Sequence, residues 1–130
     1  KDVFAQFKFD EWFFGTGYME DIDFSYRVAK NYDLMVSSQA KCYHYHHPIS
    51  SAKQASIGEW QITAWWYFVT KHQDFSTPLV FWGMLGLVMK CVLGVIVFRS
   101  YDNYLRAKGH FRGLKKVFLG KANTTAGFSK

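Results

Sequence analysis

A chain of 130 residues that is 49% hydrophobic and 20% aromatic cannot remain a disordered tail. Its aromatic surface must be buried in protein, against sugar or at a membrane interface. The net charge of +6 is concentrated at the end, where Arg99, Arg106, Lys108, Arg112, Lys115, Lys116, Lys121 and Lys130 stand against Asp102 alone. A basic end suits nucleic acid or anionic lipid. The absence of any RNP-like, zinc-finger or helix-turn-helix pattern argues against nucleic acid, and the apolar run before the basic end favours membrane lipid.

The length suits one modest domain or a piece of a larger one, and with Lys1 in place of an initiator Met a piece is expected. Residues 1–14 mix Phe4, Phe7, Phe9, Trp12, Phe13 and Phe14 with charges, and read as a short helix or irregular segment. Gly15 and Gly17 then bracket a loop whose backbone must bend tightly or approach a ligand. Three carboxylates follow within four residues, Glu20, Asp21 and Asp23, ahead of Phe24 and Val28 at i, i+4 spacing, which predicts a helix over 21–30. Acids in a first turn sit where the macrodipole favours negative charge, and a carboxylate held ionised there has what a general base needs. Composition alone reads the same acids as a solvated helix start. Neighbours in sequence cannot face one spot, so Asp21 is taken as the inward group. Asp23 and Arg27, four apart, form a supporting pair worth about a few tenths of a kcal/mol if exposed.

Leu34–Val36 reads as a short buried strand, and Ala40–Tyr45 alternates like a second, ended by Pro48. On that strand His44 and His46 point the same way. Ser50-Ser51 opens a long helix over 52–70, amphipathic first and apolar nearly all round by Trp65-Trp66, and Lys71-His-Gln-Asp74 breaks it. Pro78 suits a first helical turn. Leu79–Phe98 holds a single charge, Lys90, in 20 residues, a run that reaches ~30 Å as a helix, the depth of a bilayer core. Lys90 costs about 3 kcal/mol there, less than the apolar residues around it return. Tyr101–Leu119 is a basic amphipathic helix of the kind that lies in the interface plane, and 123–130 is a polar, frayed end. The organisation expected is therefore an acidic-motif part over 1–50, an aromatic helix over 51–75, a membrane-associated helical tail over 76–122 and a flexible end over 123–130.

Cys42 and Cys91 form no CxxC and read as reduced thiols on the cytosolic side. Cys42, His44, His46 and His47 together suggest a transition-metal site. A single His44 completing a shell of carboxylate and phosphate oxygens is chemically the better ligand. Trp60, Trp65 and Trp66 suit sugar stacking, membrane contact or plain packing.

The run Gly17-Tyr-Met-Glu-Asp-Ile-Asp-Phe-Ser-Tyr-Arg27, then Tyr32-Asp-Leu34, then Ala40-Lys-Cys-Tyr-His44, resembles the second half of a family 2 glycosyltransferase. Trp65-Trp66-Tyr67, Lys71-His72, Gly113-Leu114 and Gly120-Lys121 are similar to the tails of membrane-associated members. The resemblance implies an α/β fold, a partial GT-A arrangement followed by long helices. It also implies an inverting transfer from a nucleotide-sugar donor to a carbohydrate or glycolipid acceptor, with Mg2+ or Mn2+, in cell-surface polysaccharide or glycolipid synthesis. Asp21 matches the general base, Glu20 its neighbour, and His44 the metal-completing residue. Gly17, His46 and Trp66 would contact substrate, with Asp23 and Arg27 as scaffold. The donor-binding half and its Asp-x-Asp motif fall outside the chain, so the piece is expected to be inactive alone. The alternative is a non-enzymatic, membrane-anchored adaptor with a His-rich metal-binding or lipid-binding surface.

Membrane topology adds a constraint. One cation, Lys71, lies just before the apolar run and six, Arg99 to Lys116, just after, which puts the C-terminal side in the cytoplasm. A single span would carry Asp21 to the far side from nucleotide sugars. Either the run is in-plane or re-entrant or further spans precede Lys1, and peripheral or re-entrant association at the cytoplasmic face is the preferred expectation.

Overall fold

The computed structural model describes residues 2–13, 18–45 and 50–122. Five α-helices follow in order: α1 (Val3–Gln6), α2 (Glu20–Ala29), α3 (Ser51–Lys71), α4 (Thr77–Phe98) and α5 (Tyr101–Phe118), with a 3-10 turn at Glu11–Phe13. The four long helices begin and end within two residues of their expected bounds, because caps and breakers are local. Pro78 stands in the first turn of α4, and Ser100 caps α5 by accepting the Asn103 amide.

The α/β expectation fails. Among the described residues there is no strand, and the fold is a helical bundle rather than a GT-A sheet domain. Leu34, Met35 and Val36, read as a buried strand, are 57%, 92% and 100% exposed. Ala40–Tyr45 likewise has no regular secondary structure and is exposed. Alternation marks a strand only when a neighbouring edge supplies hydrogen bonds, and the helices offer none.

The bundle is organised around α3, which packs most extensively on α5. That pair is unusually close because glycines face each other's backbones. A Cβ on Gly109 would run into the Ala55 carbonyl and one on Gly58 into the Arg106 carbonyl, while a Cβ on Gly113 would come 2.7 Å from that of Ile62. Small residues let helix backbones approach in this way, and the Gly109-x-x-x-Gly113 spacing puts two on one face. Arg99, in the left-handed region at φ 48°, turns the chain back after α4. As a result α4 and α5 run antiparallel, with Asn103 against Gly94 at one end and Phe81 stacked on Phe118 at the other. The core joins Trp12, Phe13, Ile62, Phe68, Met84 and Val117. The outer face of α4 stays bare, with Leu79, Trp82, Leu93, Ile96 and Phe98 exposed.

Candidate functional site

The acidic helix start divides its carboxylates between two environments. The inward one is Asp23, not Asp21 as expected. Asp23 is 0% exposed, and its Oδ2 accepts from Arg27 Nε at 2.8 Å. Its Oδ1 accepts from Lys71 Nζ at 2.8 Å and from His72 Nε2 at 2.7 Å. The expected Asp23–Arg27 pair thus exists, but buried and joined by two further donors from the end of α3. Lys71 also donates to Asp10 at 2.6 Å. Asp10 in turn accepts from Tyr67 Oη at 2.8 Å and from the Trp12 amide at 2.9 Å. Trp12 lies flat on Tyr67, ring centres 4.0 Å apart. Arg27 reaches on to the Lys8 carbonyl.

Two acids and two obligate cations make this clasp nearly neutral, which is how charge becomes tolerable away from water. Burial alone would raise the Asp23 carboxyl, but hydrogen bonds from Lys71, His72 and Arg27 outweigh it and hold Asp23 below the ordinary carboxylate value. Asp10 follows the same pattern, with burial opposed by Lys71, the Trp12 amide and Tyr67. Burial, then the bond to Asp10, pushes the Tyr67 hydroxyl well above its usual range. The clasp docks α2 on the C-terminal turn of α3, where the helix dipole also favours Lys71. Beside it, Tyr26 packs on Phe68, His72 and Phe75 and shares Asp74 with Lys30.

Asp21 remains outside the clasp. It is exposed, its Oδ1 accepting the next amide, that of Ile22, at 2.9 Å. It stands on the rim of an open hollow of about 400 Å³ lined also by Ile22, Ser25, Tyr26, Ala29 and Leu34. Glu20 is half-buried one residue earlier. His44 lies in the exposed stretch after α2. Among the described residues no three His, Cys, Asp or Glu side chains gather to hold a metal ion. Trp66 packs its ring on Phe81 of α4, 5.4 Å between centres, against the core. Gly17, His46 and His47 lie outside the described residues.

Sequence reasoning missed Lys71, His72, Asp10 and Tyr67 as a unit. Lys71-His72 registered as a polar break ending a helix, which it is. Nothing in the spacing says that Asp23, 48 residues earlier, would meet it. Comparisons with protein-family models, with curated proteins and with solved structures find no match for this chain.

Proposed function

We propose that the chain is the acceptor-side, membrane-associated part of an inverting sugar transferase, acting at the cytoplasmic face of the membrane. The donor is a nucleotide sugar and the acceptor a carbohydrate or glycolipid hydroxyl. The observation that carries this reading is the division within Glu20-Asp21-Ile-Asp23. Asp23 is buried and fully bonded, which fixes the first turn of α2, while Asp21 on the same turn is left accessible beside a hollow with Ser25 and Tyr26. In the reaction the Asp21 carboxylate takes the acceptor proton as the oxygen bonds to the anomeric carbon, and the nucleoside diphosphate leaves with the electron pair of the broken bond. Mg2+ or Mn2+ would need ligands beyond the described residues to join His44 and would neutralise the departing diphosphate.

In-plane association is supported by the α4–α5 hairpin. The 22-residue helix α4 contains an 18-residue stretch of mean hydropathy 2.2, enough by length and composition to cross a bilayer. Its antiparallel partner carries Arg106, Lys108, Arg112, Lys115 and Lys116 at the same levels. A hairpin set upright would take these cations toward the bilayer interior at a cost of roughly 3 kcal/mol each near its centre. Laid flat, it puts the bare α4 face in the acyl region and leaves cations at headgroup level.

Asp21→Asn in the full-length protein is the test. Sugar transfer should fall at least ~100-fold with folding unchanged, and near-normal turnover overturns the assignment. A second reading, the non-enzymatic membrane adaptor, is favoured by the exposed apolar residues of α4. Vesicle binding by a full-length protein that transfers no sugar would select it.

A further inference from the structure

Beside the bare face, α4 and α5 leave an open groove of about 400 Å³ lined by Val92, Val95, Ile96, Tyr104, Ala107, Lys108 and Phe111. Of these only Lys108 is charged. The cations of α5 fall into two sets. Those toward α3 are partnered: Arg106 donates to Gln54 and Lys116 pairs with Glu59. Lys108, Arg112 and Lys115 instead lie exposed on a stripe spaced four and three residues apart. None of the three takes part in an ion pair among the described residues. An apolar trough with an uncompensated cation on its rim and another one turn along matches a molecule that is a hydrocarbon chain at one end and an anion at the other.

We propose that this groove seats one acyl chain of an anionic membrane lipid, whose phosphate meets Lys108 and Arg112. The inference rests on the membrane reading above and goes beyond it, because a basic interfacial helix attracts anionic headgroups along its whole length without assigning one acyl chain to one groove. Phosphatidylcholine alone would satisfy the bare α4 face. The groove requires the negative charge.

The test floats the full chain on phosphatidylcholine vesicles with and without phosphatidylglycerol, each doped with the matching lipid carrying a photoactivatable group on one acyl chain. Labelled peptides are then mapped by mass spectrometry. The phosphatidylglycerol probe should label Val92, Ile96 and Phe111 several-fold more than the phosphatidylcholine probe. Lys108→Glu should abolish that excess, and Ile96→Trp, filling the groove from an exposed position, should remove label from Phe111 while flotation persists. Equal labelling by both probes, or label confined to Leu79, Trp82 and Leu85 with flotation intact, overturns the groove assignment alone. Failure to float on either vesicle overturns the membrane reading and this inference with it.

Discussion

The clasp around Asp23 and the glycine-faced α3–α5 pair hold the two ends of α3 by opposite means. At the C-terminal end, charged side chains converge, with Asp23 accepting from Arg27, Lys71 and His72 and Lys71 bridging Asp23 to Asp10. Along the rest of the helix, side chains have been removed so that two backbones meet. The first kind of contact is directional and fails when one partner is lost, because the remaining charges stay buried without a counterpart. The second is steric and fails when anything is added. One end is therefore sensitive to deletion and the other to insertion.

Asp23→Ala should have the largest effect, since it removes the acceptor that Arg27, Lys71 and His72 share and leaves Lys71 with Asp10 alone. We expect a loss of about 3–5 kcal/mol in the stability with which α2 is held. Hydrogen exchange should accelerate in α2 with α5 protection retained, and equal loosening of both would show that the two ends are a single cooperative unit. Gly109→Leu should do the reverse, costing about 3 kcal/mol by forcing the pair apart at Ala55. Denaturant unfolding gives the magnitude, and exchange in α5 the location.

Acid separates the two regions without mutation. His110, buried in the α3–α5 pair, bonds Gln61 through Nε2, and its Nδ1 has no partner among the described residues. Burial, then Arg106, pushes its pKa down to about 4 from 6.5. The unfolded chain therefore takes up this proton first. Stability from His110 is complete above pH 6.5 and is lost as the pH falls from 6.5 to 4, about 3 kcal/mol in all. Asp10 and Asp23 are held below 3.8, so the clasp contributes fully above that value and weakens only as pH falls further. Melting followed against pH should show the helix pair loosening first, and His110→Gln should flatten the upper limb. The smallest effect is expected at the α4–α5 turn. Arg99→Gly relieves a left-handed backbone but frees the unfolded chain, for a net change under about 1 kcal/mol either way, read from the thermal midpoint.

Much of the helical framework was legible because its determinants are local. Pro78, Ser100, the polar break at Lys71–Asp74 and the apolar run before Phe98, interrupted by Lys90 alone, each mark a boundary within a few residues. The strands were misread for a related reason. Leu34–Val36 and Ala40–Tyr45 have the right residue types, but a strand is defined by a partner, and no alternation within a segment reports whether a partner exists. The same limit applied to the site. Three acids at a helix start were visible, and so was the Asp23–Arg27 spacing. Which acid turns inward depended on where Lys71 and His72 arrive, and that is decided by how α2 lies on α3.

By itself, the sequence determined where the long helices run, that one is apolar but for Lys90, that cations gather at the end, and that three carboxylates open α2. These are properties of neighbours along the chain, settled by propensity, capping and charge. Only the tertiary structure decided that Asp23 is buried while Asp21 stays accessible, that Gly58, Gly109 and Gly113 bring α3 and α5 into backbone contact, and that Lys108 stands exposed beside an apolar groove. Each of these depends on residues dozens of positions apart meeting in space, where burial, steric exclusion and charge neutralisation act together.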